Sequence, residues 1–166
     1  NFPYALPKIC DAMRERAIKS VDIYHTKNLE EFPTIEYAEK DIRLDLGDGI
    51  IVNGQMDLIK RKKLDGTEER TIIDFKSTED AQAYDATIDQ LQLYALGYKE
   101  LTGDNADFLE IYNVDTNVPN KKELTTQDLD GMKSKIIDAA NKIRNNQLEH
   151  TCNDPQCVCR FKNKRS

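Results

Sequence analysis

Two short segments place charged groups inside apolar strand-like runs. In Asn53-Gly54-Gln55-Met56-Asp57-Leu58-Ile59, Asp57 stands among Met56, Leu58 and Ile59 and shares a face with Asn53 and Gln55, because side chains alternate along a strand. In Ile72-Ile73-Asp74-Phe75-Lys76, Asp74 and Lys76 are two residues apart and again share a face. Burying such charges without partners is unfavourable. A divalent cation removes the difficulty: Mg²⁺ takes oxygen ligands, typically one or two carboxylates with water and substrate phosphate. Asp57 and Asp74 would supply the carboxylates and the main-chain carbonyl of Phe75 a third oxygen. Lys76 would orient or deprotonate an attacking water and offset charge on a phosphoryl group, which gives hydrolysis of a phosphodiester. Gln90 and Tyr94, four residues apart on one helix face, could reach back over the strand end to Lys76, metal-bound water or phosphate.

Each residue alone has an ordinary explanation. Asp74 and Lys76 would be an ion pair at a strand end, Asp57 a solvated carboxylate, Gln90 a surface residue and Tyr94 a core one. What argues for a site is the coincidence of a Gly-x-x-Asp strand, a hairpin-length gap, an apolar-Asp-x-Lys strand and a polar helix stripe.

The elements that must position these residues follow from periodicity. Residues 7–24 read as a helix with Pro7 in its first turn and Ile9, Met13, Ala17, Val21 and Tyr24 at helical spacing. Three strands follow. In the first, over 35–46, Tyr37, Glu39, Asp41, Arg43 and Asp45 fall on one face and Ala38, Ile42, Leu44 and Leu46 on the other. Gly47-Asp48-Gly49 turns the chain into the second strand, 50–59, and Asp65-Gly66 marks the turn before the third, 70–76. This meander should be antiparallel. A helix over 84–101 carries Tyr84, Ile88, Leu91, Ala95 and Tyr98 as an apolar stripe, stopped by Gly103. A strand over 108–114 and a last helix over 126–145, with Leu129, Met132, Ile136, Ala140 and Ile143 inward, complete a mixed α/β layer arrangement.

The 166 residues suit one compact domain, read as 1–150 with a Cys-containing basic tail at 151–166. Hydrophobic residues are 39% and charged residues 33% of the chain, and no run approaches the roughly 20 apolar residues needed to cross a bilayer. The expected setting is soluble, away from membranes and cytoplasmic, with no signal peptide. A net charge of −6 argues against gripping nucleic acid by charge neutralisation alone. Bound cations would reverse the sign locally, and a partner domain could carry the basic track. The chain begins Asn1-Phe2-Pro3 and reads as a piece of a longer polypeptide. Of the four cysteines, Cys10 reads as a small core residue on the apolar side of its helix, and a reducing compartment is expected for all.

The segments 54–59, 72–77 and 90–95, in this order, resemble the three successive motifs of RecB-type nucleases in the PD-(D/E)xK superfamily. These are the nuclease domains of RecB and AddA helicase-nucleases and of UvrD/Rep-like helicases. The resemblance spans about residues 36–112. It implies a restriction-endonuclease-like core: a central mixed sheet, made of the antiparallel meander and a further strand, flanked by helices. It also implies an Mg²⁺- or Mn²⁺-dependent deoxyribonuclease, acting with a helicase in recombination or repair, with DNA as substrate. The matching aspartates, Asp57 and Asp74, would bind metal, Lys76 would be catalytic, and Gln90 with Tyr94 would complete the site. Glu39 resembles an acidic residue that often precedes the first strand motif, and a solvated strand face explains it as well.

Two departures qualify the match. The family usually has a metal-binding histidine on an early helix. His25 lies too close to the strands and lacks the Gly-rich lead-in, so that histidine is expected upstream of Asn1. Some members hold an iron–sulfur cluster with one early and three late cysteines. Here Cys152, Cys157 and Cys159 are spaced loosely and Cys10 does not match the early one, although the late three with His150 could hold zinc or a cluster. The basic run 160–165 could touch phosphates. Two other functions therefore stand beside the nuclease: a catalytically weak or inactive DNA-binding scaffold of a helicase, and a zinc- or cluster-binding interaction module.

Overall fold

The structure, a computed structural model, describes residues 7–77 and 84–147. The chain runs through α1 (Pro7–Asn28), a 3-10 helix (Leu29–Thr34), β1 (Ile35–Asp45), β2 (Ile51–Leu64), β3 (Thr67–Lys76), α2 (Tyr84–Thr102), β4 (Phe108–Asn113), β5 (Val118–Glu123) and α3 (Thr126–Arg144). The five strands form one sheet in chain order. The β1–β2 and β2–β3 pairs are antiparallel, β3–β4 is parallel, and β4–β5 is antiparallel. The parallel step requires a crossover, and α2 supplies it. This is the mixed α/β sheet flanked by helices that the sequence implies.

Helices α2 and α3 cover one face. Ile42, Leu44, Met56, Ile59 and Ile72 of the sheet pack there against Ile88, Leu91, Ala95, Tyr98, Leu129 and Met132. The stripe of α2 is buried as expected except at its first member, Tyr84, which is half exposed. Gly97 lets α2 approach β1, because a Cβ there would lie 2.9 Å from Ile42 Cβ. Gly103 ends α2 with a positive φ of 81°, its N–H donating to the Lys99 carbonyl at 2.8 Å. Thr125 caps α3 reciprocally with Asp128: Thr125 Oγ1 accepts from the Asp128 N–H, and the Asp128 carboxylate accepts from the Thr125 N–H.

The other face carries a smaller cluster in which Leu58, Ile73 and Tyr112 meet Tyr24 and Phe75. Tyr24 of α1 stands edge-on to both Phe75 and Tyr112. Here the structure corrects the helical stripe read for residues 7–24. Met13 and Val21 are exposed, and so is Cys10, which is therefore not a core residue. The helix continues to Asn28 and is anchored through its C-terminal end, where Tyr24 packs and Asn28 Nδ2 donates to the Tyr112 hydroxyl at 3.4 Å. Ile143, at the far end of the α3 stripe, is also exposed, although its neighbour Arg144 donates to the Asp48 carbonyl in the β1–β2 turn.

Strand β5 has no counterpart among the elements expected from periodicity. All six of its residues are exposed and it contains Pro119, so it has neither alternation nor an apolar face, and its position at the sheet edge tolerates the proline. Among the described residues no helix is long and apolar enough to cross a membrane.

Candidate active site

The ladder between β2 and β3 stops at Leu58 opposite Ile73. The ladder between β3 and β4 continues to Lys76 opposite Asn113. The last three residues of β3 are thus held from one side, and the strand opens toward β2 where Asp57 stands. Asp57 fills the gap: its Oδ2 accepts the Phe75 N–H at 2.9 Å. The N–H and C=O of one strand residue point to the same neighbour, so the Phe75 carbonyl is directed into the same gap. Across β2, strand β1 bends at Glu39, whose φ is +49°.

Asp74 lies on the α2 face of the sheet and is 1% exposed. Its Oδ2 is 2.8 Å from Lys76 Nζ, a charge contact whose angles leave Oδ2 without a directed hydrogen bond. Burial raises the Asp74 carboxyl above its ordinary range, Lys76 pulls it down, and the neighbouring Asp57 raises it further. From Lys76 a chain of contacts runs onto α2. Lys76 Nζ donates to Gln90 Oε1 at 3.3 Å, and Gln90 Nε2 donates to the Tyr94 hydroxyl at 2.7 Å. The helical spacing of Gln90 and Tyr94 makes that second bond possible, and it leaves the phenol proton for another acceptor. Tyr94 in turn rests on β2, where a Cβ at Gly54 would come within 3.1 Å of its ring.

Asp57, Asp74, Phe75, Lys76, Gln90 and Tyr94 therefore meet at one strand end. Glu39 stands opposite Asp57 in the β1–β2 register, between the Ala38–Leu58 and Lys40–Met56 pairs; it is exposed, its carboxylate makes no bond among the described residues, and its main-chain carbonyl accepts from Gln55 Nε2 at 3.4 Å. His25 packs edge-on against Phe32 on the α1 side of the molecule. His150, Cys152, Cys157, Cys159 and the basic run 160–165 lie outside the described residues.

Whether the residues suit a divalent cation can be judged from their donors. Among the described residues, no group of three or more His, Cys, Asp or Glu side chains is placed to hold a metal ion. The site offers two carboxylates and one main-chain carbonyl. That set fits Mg²⁺ or Mn²⁺, which keep several waters, and not the closed cage of a structural zinc. The buried Asp74 Oδ2, short of a hydrogen bond, is the atom such an ion would satisfy.

No sequence signal marks an open groove of about 460 Å³ between α2 and α3, which begins at Gln90 and Tyr94. Its α3 wall combines Met132 and Ile136, which read as part of a core-facing stripe, with Lys135 and Ala139, which lie outside that stripe.

No protein-family model matches the chain, and no curated protein matches it in sequence. Solved structures do resemble it. The crystal structure of a protein from Eubacterium rectale named "Putative exonuclease" superposes with a TM-score of 0.55 at 14% identity, over 90% of this chain and 60% of that one. The protein SSO0001 aligns with a TM-score of 0.47 at 17% identity, over 85% of this chain and 69% of that one. The chain thus spans about 60% of the Eubacterium rectale structure and shares its fold.

Proposed function

We propose that the chain is a nuclease domain of the RecB-like PD-(D/E)xK type, hydrolysing DNA phosphodiesters with Mg²⁺ or Mn²⁺ and working with a helicase domain in recombination or repair. The observation that carries the reading is Asp74: a carboxylate 1% exposed, with one oxygen short of a directed hydrogen bond, beside Asp57 and Lys76. The name of the Eubacterium rectale protein that shares the fold agrees with it.

A bound divalent cation supplies Lewis-acid polarisation of the phosphate and a more acidic water. Asp57 and Asp74, with the Phe75 carbonyl, would hold it. The Phe75 N–H fixes the Asp57 carboxylate in rotation, which preorganises that ligand. Lys76 Nζ, held between Asp74 and Gln90, orients the attacking water and offsets charge developing on the phosphoryl oxygens. Gln90 spends both ends of its carboxamide on positioning, one on Lys76 and one on Tyr94. The Tyr94 phenol proton is directed to a substrate oxygen.

Labelled single- and double-stranded DNA, incubated with Mn²⁺ or Mg²⁺, tests the reading. Degradation is expected in the wild type and is lost in both Asp74→Ala and Lys76→Ala. Calorimetric titration with Mn²⁺ should show binding to the wild type and none to Asp74→Ala. DNA that stays intact with a protein that binds no Mn²⁺ overturns the proposal. One observation favours a second reading, the inactive scaffold: the described residues supply only two side-chain ligands. DNA binding without cleavage, insensitive to Asp74→Ala, would support it.

A further inference from the structure

We propose that the groove between α2 and α3 seats an unstacked nucleobase, on a nucleotide adjoining the scissile phosphate; this inference rests on the nuclease reading above. The groove is continuous with the candidate site, since Gln90 and Tyr94 line both. Val52, Leu93, Met132 and Ile136 give it apolar walls, and the exposed Ala86 and Ala139 add little bulk. Its volume of about 460 Å³ belongs to the range of small-molecule sites.

The chemistry of the lining selects the occupant. On a nucleic acid, sugars and phosphates are polar, and the apolar surfaces are the faces of the bases. In a duplex both faces are covered by stacking, so a base reaches an apolar groove only after leaving its stack, at a cost lowest for an unpaired strand. Polar groups stand where the rest of a nucleotide would need them. Asn53, on the groove wall, is exposed and its carboxamide makes no hydrogen bond among the described residues, which leaves donor and acceptor for a base edge. Lys135 Nζ is paired with Asp89 Oδ1 at 2.7 Å, and both line the groove. The two side chains are 61% and 41% exposed, a weak surface pair that a phosphate can displace. The missing Cβ of Gly54 lets the Tyr94 ring lie against β2 at the groove's edge.

The test uses the full chain and measures binding apart from catalysis. In the Asp74→Asn variant with Ca²⁺, fluorescence anisotropy compares a labelled oligothymidylate with an abasic oligomer of equal length. The oligothymidylate should bind about tenfold more tightly. Ala139→Phe, which fills the groove from an exposed position, should abolish that difference while leaving the abasic oligomer unchanged. Ala86→Phe, on the opposite wall, is the second variant and should act alike. In the otherwise wild-type chain with Mn²⁺, Ala139→Phe should raise KM for the oligothymidylate about tenfold and leave hydrolysis of bis(p-nitrophenyl) phosphate unchanged. Equal binding of the two oligomers, or indifference to both groove variants, overturns the base seat and points to an apolar side chain of a protein partner instead. If bis(p-nitrophenyl) phosphate is still cleaved in that case, the nuclease reading survives alone. Base-dependent binding without hydrolysis of either substrate refutes the nuclease reading and leaves the groove as a binding site.

Discussion

Replacing Asp74 by Asn distinguishes a metal site from a structural ion pair, because the substitution keeps the shape and removes the charge. In the wild type the carboxylate is 1% exposed and its Oδ2 has no directed hydrogen bond. A buried polar group left unsatisfied costs about 1–3 kcal/mol, and more when charged. Opposing this is the contact with Lys76 Nζ at 2.8 Å. Lys76 does not depend on it alone, for it keeps Gln90 Oε1 at 3.3 Å and its side chain is 17% exposed to water. The balance favours the variant: without metal, Asp74→Asn should be more stable by about 1 kcal/mol. For a chain of this size that raises Tm by about 2–4 °C. Metal should reverse the order. Binding to the native state alone contributes about 2.7 kcal/mol when free ion is about 100 times Kd, and only the wild type should gain it. The assay is urea unfolding in EDTA and again in Mn²⁺, read as midpoints at constant m. If Asp74→Asn is the less stable protein in EDTA, and Mn²⁺ moves both midpoints equally, then Asp74 is there to hold Lys76, and the argument from its burial is wrong.

Three further outcomes follow from the packing and charges. Gly97→Ala should destabilise by about 1–2 kcal/mol, the overpacking of Ile42 outweighing about 1 kcal/mol of helix propensity; an unchanged urea midpoint would contradict the close approach of α2 to β1. Glu31 is hydrogen-bonded by Lys60 and Lys62, at 2.6 Å each, and these pull its carboxyl down to about 2 from 4.5. Its folded value is the lower one, so the stabilisation is complete above pH 4.5 and is lost as pH falls toward about 2. Because the side chain is 35% exposed, solvent screening limits the effect to about 1 kcal/mol. Glu31→Gln should therefore weaken the protein at neutral pH and converge with the wild type in acid, as followed by urea midpoints across that range. Tyr94→Phe removes the acceptor for Gln90 Nε2 and the phenol proton, and should lower kcat for DNA cleavage about tenfold with little change in Tm; an unaltered kcat would remove Tyr94 from the site.

Much of this architecture is legible in the sequence because its signals are local. The meander is written in Gly47-Asp48-Gly49 and Asp65-Gly66, both turns with positive φ, and α2 in the 3.6-residue spacing of Ile88, Leu91, Ala95 and Tyr98. The meeting of Asp74 with Lys76 follows from alternation on a strand and that of Gln90 with Tyr94 from i, i+4 spacing on a helix, whereas Asp57 does not follow from alternation, since Met56 and Ile59 both pack on the α2 side. What escaped depends on tertiary context. Strand β5 exists because β4 offers an open edge, and its own residues, Val-Pro-Asn-Lys-Lys-Glu, carry no periodic signal. Cys10, Met13 and Val21 recur at helical spacing, yet nothing among the described residues covers them, since a periodicity says which residues share a face and not whether that face meets a partner. The α2–α3 groove is a property of two helices and cannot be read from either.

The geometry at the end of β3 also explains why two carboxylates from different strands can be held so close. In a continuous sheet the Phe75 N–H and C=O would be spent on β2, and Asp57 would lie on one sheet face. Here the β2–β3 ladder ends at Leu58 and Ile73, three residues before the end of β3, while β4 still holds β3 through Lys76. The lost ladder bond is replaced by a side chain, Asp57 Oδ2 taking the Phe75 N–H at 2.9 Å. That exchange keeps the Phe75 N–H paired and leaves the Phe75 carbonyl facing the same opening. Continuing the ladder would still set Asp57 opposite Asp74, but it would spend the Phe75 carbonyl on β2. The irregularity in the sheet is thus what frees the Phe75 carbonyl for the candidate site, and the parallel β3–β4 pair, imposed by the α2 crossover, is what lets β3 remain ordered without β2. The same crossover returns α2 over that strand end, where Gln90 meets Lys76.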